Sequence, residues 1–221
     1  IAEISATSKH PIFTSVYHLI NEDMLKQCHK ELDGSKAVGI DKVTKDEYGK
    51  NLDRNIKDLV QRLKNKSFKP LPSLRVYIPK ANGKKRPLGI PTVVDRVIQQ
   101  AVALELSRIY DETFSDNSFG FRPHRSAQNA MMRTLDYLNE GYEWVIDLDI
   151  EAYFDTVNHD KLISILRERV FDSATLHLIR KFLQAGIMEK GLVKSNTLGM
   201  PQGGPLSPIL SNIYLDKFDK E

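Results

Sequence analysis

Eight residues, Trp144-Val-Ile-Asp-Leu-Asp-Ile-Glu151, constrain the fold of this 221-residue chain more than any other stretch. Side chains two apart on an extended backbone share a face. Trp144, Ile146, Leu148 and Ile150 therefore form an apolar ridge, while Asp147, Asp149 and Glu151 form its reverse. The alternation predicts a strand with one face in a core and a row of carboxylates on the other. Like charges so close repel one another, and the row is costly without cations.

Charge elsewhere in the chain is split in a matching way. Between Arg54 and Arg86 stand eleven Lys or Arg against the single acid Asp58, a local charge of +10 in a chain whose net charge is +3. The rest is acidic, with Glu140, Glu143, Asp147, Asp149, Glu151, Asp155 and Asp160 crowded together. A basic stripe suits a phosphate backbone and clustered acids suit divalent cations, so the two together point to metal-dependent chemistry on nucleic acid. Taken alone, the stripe serves equally as a solvated helix face. A 41% hydrophobic content is enough to build a core. No apolar run reaches the roughly 20 residues that cross a bilayer, and no leader opens the chain, so a cytoplasmic protein without a membrane partner is expected. Cys28 has no second cysteine to pair with and falls on an apolar helix face, which predicts a buried thiol. The chain starts at Ile1 and stops at Glu221, and both ends read as trimmed.

Periodicity supplies the remaining elements. Met24, Leu25, Cys28 and Leu32 recur at helical spacing ahead of Gly34. Thr44 and Glu47 read as a capping box for a helix whose stripe runs through Tyr48, Leu52, Ile56, Leu59, Val60 and Leu63. Leu74 to Pro79 and Arg86 to Pro91 are expected to pair as a hairpin across Asn82-Gly83. Further helices are expected from Thr92 through Ile109, from Ser126, over Lys161 to Arg169, over Ala174 to Gln184 and over Ser207 to Phe218. An irregular strand pair is expected between Ile187 and Leu198. The fold class is α+β and helix-rich.

Adding a nucleotide to a growing strand uses two metal ions roughly 3.5–4 Å apart, bridged by carboxylates. Mg²⁺ takes one or two carboxylates together with waters and substrate phosphates. Asp149 with the backbone carbonyl of Ile150 suits half of such a site. A lone Asp-x-Asp on a strand is a weak signal, and taken alone it reads first as an ordinary surface feature. Neither His124 nor His159 has a Cys or His partner at ligand spacing.

Four ordered blocks add specificity. The stretch from Val145 to His159 resembles the first palm motif of reverse transcriptases in the form shared by group II intron proteins. Arg75 to Lys80, continuing through Arg86-Pro-Leu-Gly-Ile-Pro91 to Asp95-Arg96, resembles the fingers hairpin of that family. Ser118-Phe-Gly-Phe-Arg122-Pro-His-Arg125-Ser-Ala127 and Gly199-Met-Pro-Gln-Gly-Gly-Pro-Leu-Ser-Pro208 resemble the next two blocks. The resemblance spans about Leu19 to Phe218. It implies a right-hand polymerase-type fingers and partial palm, with residues 1–115 as fingers and amino-terminal extension, 116–156 as palm, 157–203 as a return to the fingers and 204–221 as a palm helix.

Carried over residue by residue, the resemblance makes Asp149 the catalytic metal-binding aspartate and Phe154 the steric gate against a ribose 2′-hydroxyl. Asp147 matches no family ligand. Lys80 and Arg86 resemble the residues that clasp the incoming triphosphate, Gln202 the glutamine of the nucleotide pocket, and Gly203 a point of close backbone approach. Arg62, Lys64, Lys66, Lys69, Lys84, Lys85, Arg122 and Arg125 are the expected RNA contacts. Phe119 and Phe121 read as structural. The implied cofactor is Mg²⁺ and the substrates are deoxynucleoside triphosphates. Implied partners are group II intron RNA, an RNA template and a DNA primer, with a homodimer also expected. The implied setting is the bacterial cytoplasm, as a ribonucleoprotein. The family's next motif, Tyr-Ala-Asp-Asp on a hairpin, is absent from these 221 residues. The resemblance therefore implies RNA-directed DNA synthesis and splicing assistance by a longer protein, with the fragment itself inactive in synthesis. A splicing-only maturase and a retron or CRISPR-associated reverse transcriptase are the alternatives.

Overall fold

Short polar residues ahead of each apolar stripe set where the helices begin. The computed structural model describes Ile1, Glu3, Ile4, residues 11–79 and residues 83–220. Asn21 caps α1 (Glu22–Glu31) by accepting from the Met24 amide at 3.0 Å. Thr44 and Glu47 form the expected capping box on α2 (Lys45–Gly49). The single helix expected from Thr44 onward is in fact two, because the backbone leaves helical geometry at Asn51 before α3 (Leu52–Lys64) begins. Asn55 makes the break tolerable by donating its side-chain amide to the Tyr48 carbonyl at 2.8 Å. The apolar stripe survives it, with Tyr48, Ile56, Leu59, Val60 and Leu63 all buried.

Strands β1 (Ser73–Pro79) and β2 (Lys85–Ile90) pair antiparallel from Leu74 opposite Ile90 to Pro79 opposite Lys85. Lys80, Ala81 and Asn82 lie outside the described residues, so the Asn82-Gly83 turn does too. Thr92 then caps α4 (Val93–Tyr110), and Ser126 caps α5 (Ala127–Asn139). A single turn, α6 (Tyr153–Thr156), precedes α7 (His159–Arg167) and α8 (Ser173–Gln184). Strands β3 (Ile187–Glu189) and β4 (Leu192–Lys194) join the hairpin in one mixed sheet of order β2-β1-β3-β4, with β1 and β3 parallel. Helix α9 (Leu206–Asp219) closes the chain.

The core runs along α4, whose Val97, Ile98, Ala101, Val102, Leu106 and Ile109 are buried. Helices α1 and α9 pack on it, and α7 packs on both α8 and α9. Cys28 is buried as expected, and desolvation pushes its thiol up to about 12. Asp172 ties the amino-terminal segment to α8, accepting from the amides of Val16 and Tyr17, both at 2.8 Å, and from those of Ala174 and Thr175. No helix among the described residues is long and apolar enough to cross a membrane.

One expectation fails. Residues 144–150 form no strand, and the ridge meant for a core lies in solvent: Trp144 is 92% exposed, Ile146 84% and Leu148 72%. Alternation encodes a face that wants cover; it does not supply the neighbouring backbone that completes a ladder. The four-stranded sheet uses none of these residues. Helix α5 shares the situation, with no buried residue and with Met131, Met132, Leu135 and Leu138 exposed.

A buried carboxylate at the start of α4 gives the fold a pH signature. Asp95 accepts from the Thr92 hydroxyl at 2.8 Å and the Leu71 amide at 3.2 Å, while burial pushes it from 3.8 to about 6. The native state thus holds this proton more tightly than the unfolded chain. Its stabilising contribution is complete below pH 3.8 and is lost as pH rises towards 6. Two pH units correspond to an upper bound of about 3 kcal/mol. The urea midpoint of the parent is expected to fall relative to that of Asp95→Asn between pH 4 and pH 6.5; parallel pH profiles would contradict the assignment.

Candidate active site

The site is built on a contact between two segments that are some forty residues apart in sequence. Ala152 adopts a left-handed conformation and turns the chain into α6, which carries Tyr153 and Phe154. The freed carbonyls of this single turn are taken by a later loop: the Met200 amide donates to the Phe154 carbonyl at 2.6 Å and the Gly199 amide to the Val157 carbonyl at 2.7 Å. Gly199 sits at φ +86, and a Cβ there would lie 2.7 Å from the Phe154 carbonyl oxygen. Only glycine fits both demands. The Gly199 carbonyl is itself gripped by the buried His159 ring, with Nε2 at 2.6 Å, and by the Asn196 amide at 3.1 Å. His159 is thus a structural fastener, in keeping with its lack of ligand partners.

The same loop is then fastened to the hairpin. The Gly89 amide of β2 donates to the Gln202 carbonyl at 2.7 Å, and Ser207 donates its hydroxyl to the Pro201 carbonyl at 2.7 Å. Gly203, at φ +115, passes so close to β2 that a Cβ would stand 2.6 Å from the Gly89 carbonyl oxygen. These bonds bring Arg86, Phe154, Gln202 and Gly203 onto one cleft of about 630 Å³. Within it the Arg86 Nε donates to the Gln202 side-chain oxygen at 3.2 Å. Tyr153 packs edge-on against Phe154 and Tyr214, which seats α6 on α9.

Sequence reasoning did not single out several residues of this cleft. Lys36 and Ala37 form part of its far wall, held by a 3.0 Å bond from the Arg96 guanidinium to the Ala37 carbonyl. Arg96 is buried, and desolvation lowers its pKa. Such long-range assignments leave no local periodicity to read. Lys80 lies outside the described residues.

Asp149 and Ile150 do not join the cleft; both are exposed. Among the described residues no group of three or more His, Cys, Asp or Glu is placed to hold a metal ion. The donor set here fits one half of a magnesium site, a carboxylate with a neighbouring carbonyl, and does not fit a complete two-ion site.

The expected RNA contacts divide. Arg122 leaves the set: its guanidinium is buried and occupied by the Asp111 carboxylate at 2.9 Å and by the carbonyls of Asp111, Ser115 and Ser118. An arginine so saturated has no donor left for a phosphate. Arg125 pairs with Asp116 at 3.1 Å over the Phe119 ring, and Arg62 pairs with Asp58 at 2.9 Å. Lys64, Lys66, Lys69, Lys84 and Lys85 are exposed, the first two beside a cavity of about 860 Å³ that Tyr17 and His18 also line. Lys181 is a different case, donating to the carbonyls of Lys66 and Phe68 at 3.2 and 2.8 Å just beyond α3.

The family model for reverse transcriptase (RNA-dependent DNA polymerase) matches residues 78–221. Protein YkfC of Escherichia coli strain K12 is 40% identical over 85% of this chain and 50% of its own length. The group II intron-encoded protein LtrA of Lactococcus lactis subsp. cremoris is 37% identical over 100% of this chain and 37% of its own. The chain thus spans half or less of these curated relatives. A chain of a solved partial Cas6-RT-Cas1–Cas2 complex matches 92% of this chain and 34% of its own length, with a TM-score of 0.58 and 26% identity.

The Gly199 contact makes a direct prediction. Gly199→Ala must either strain its backbone or push residues 154–155 away, a destabilisation on the order of 2–3 kcal/mol. Chemical denaturation of the variant should show it; an unchanged midpoint and slope would contradict the geometry.

Proposed function

Because the chain belongs to the reverse transcriptase (RNA-dependent DNA polymerase) family, we propose that it forms the fingers and part of the palm of a group II intron-encoded RNA-directed DNA polymerase. The observation that carries this reading is the meeting of Arg86, Phe154 and Gln202 in one cleft within the matched span. Arg86 receives the triphosphate of an incoming deoxynucleotide. A charge-assisted bond to phosphate is about twice as strong as a neutral one, so the triphosphate displaces the Gln202 side chain from the guanidinium. Phe154 faces the sugar and excludes a 2′-hydroxyl, while the main chain of Gln202 and Gly203 stays fixed to β2. Lys80, by its resemblance to the family's second phosphate-clasping residue, belongs to the same proposal.

Asp149 and the Ile150 carbonyl would hold one edge of a Mg²⁺ site, and the ion bound there would supply positive charge to the phosphates. The remaining carboxylates come from residues outside these 221. The division into fingers (1–115 and 157–203) and palm (116–156 and 204–221) belongs to the same proposal. The exposed lysines Lys64, Lys66, Lys69, Lys84 and Lys85, with Arg125, hold template and intron RNA, so that the protein assists splicing in a cytoplasmic ribonucleoprotein. LtrA supports the intron reading over a CRISPR-associated one, since it matches the whole chain at 37% against 26% for the Cas-complex chain. Pairing of two copies through the uncovered ridge at 144–150 is also proposed, and sedimentation showing only monomer rules it out.

In a chain extended to the length of its relatives, Asp149→Ala should abolish cDNA synthesis and leave intron RNA binding intact. Loss of both together would contradict the separation of the two roles. In the 221-residue chain, neutralising Lys64, Lys66 and Lys69 to Gln should weaken RNA binding and reduce the slope of log affinity against log salt by about 1 per lost phosphate contact. An unchanged affinity and slope would remove these lysines from the RNA surface.

A further inference from the structure

Phe121 reads from sequence as a structural residue, yet it is 80% exposed. Its side chain lines the same cleft as Arg86, Phe154 and Gln202. Its backbone is left-handed, at φ +54, a conformation that bulky residues rarely adopt. The turn that holds it there is fastened on both sides. Before it, the Asn212 side-chain amide of α9 donates to the Gly120 carbonyl at 2.8 Å. After it, the buried Arg122 is locked by Asp111 and by the carbonyls of Ser115 and Ser118. A large aromatic ring is therefore presented to an open cleft by a rigid turn, where hydrophobic burial alone would have turned it inward.

We propose that Phe121 is a stacking platform for a nucleobase held in this cleft, a role that rests on the nucleic-acid reading above. An exposed ring in a cleft that also carries an arginine is an arrangement by which proteins hold bases irrespective of sequence, because every base offers a π-face. The base belongs either to a single-stranded segment of the bound strand or to a free deoxynucleoside triphosphate, and both present the same flat face.

The test uses the purified 221-residue chain with three probes: a short single-stranded RNA, an abasic oligonucleotide of equal length and charge, and a deoxynucleoside triphosphate. Phe121→Ala is expected to weaken binding of at least one base-bearing probe by about ten-fold and to leave the abasic affinity unchanged. Whichever of the RNA and the triphosphate loses affinity identifies the source of the base. Phe121→Tyr should retain parental affinity. In a Trp144→Phe background, Phe121→Trp should be quenched by the affected base-bearing probe and not by the abasic one. The proposal is overturned if Phe121→Ala binds both base-bearing probes within two-fold of the parent, or weakens all three probes equally. Either result with a parent that still binds RNA leaves the polymerase reading standing. A parent that binds none of the probes overturns both.

Discussion

Two backbone hydrogen bonds, from the Gly199 and Met200 amides to the Val157 and Phe154 carbonyls, hold the rest of the site in register. A helix of only four residues, α6, has no length to stabilise itself and leaves its carbonyls open. The later loop bonds to them, and by doing so holds Phe154 near Gln202. The loop is in turn stitched to β2 through Gly89, and Gln202 bonds the Arg86 side chain, so the position of Arg86 is coupled to that of Phe154 through this loop. Glycines at 199 and 203 are the condition for this closeness.

How much of this was legible follows from the range of the interactions. The capping box at Thr44, the helix starts at Thr92 and Ser126 and the hairpin strands rest on contacts within a few residues, and local pattern found them. Family resemblance picked out Arg86, Phe154 and Gln202, which the fold brings together. What joins them was not legible, because the clamp links residues some forty positions apart through main-chain groups that every residue carries. Arg122 shows the reverse error. It was among the expected RNA contacts, but the side chain turns inward to three carbonyls and Asp111. The break between α2 and α3 likewise depended on one side-chain bond from Asn55 that no periodicity announces.

The acidic segment separates two meanings of a sequence pattern. Its alternation predicts a strand, yet residues 144–150 form none, and no other described backbone covers their apolar side chains. The same holds for the apolar face of α5. The cleft and the carboxylates are therefore distinct: the first is closed by hydrogen bonds within this chain, and the second stands on exposed backbone outside the sheet. The chain spans half or less of the length of these relatives.

Native-state hydrogen exchange on the 221-residue chain tests this division most directly. The amides of Gly199, Met200 and Gly89, each bonded across the site, should be protected well above their intrinsic rates. Those of residues 144–150 should exchange close to theirs. Protection of 144–150 equal to that of the clamp, or free exchange at Gly199 and Met200, would contradict the account.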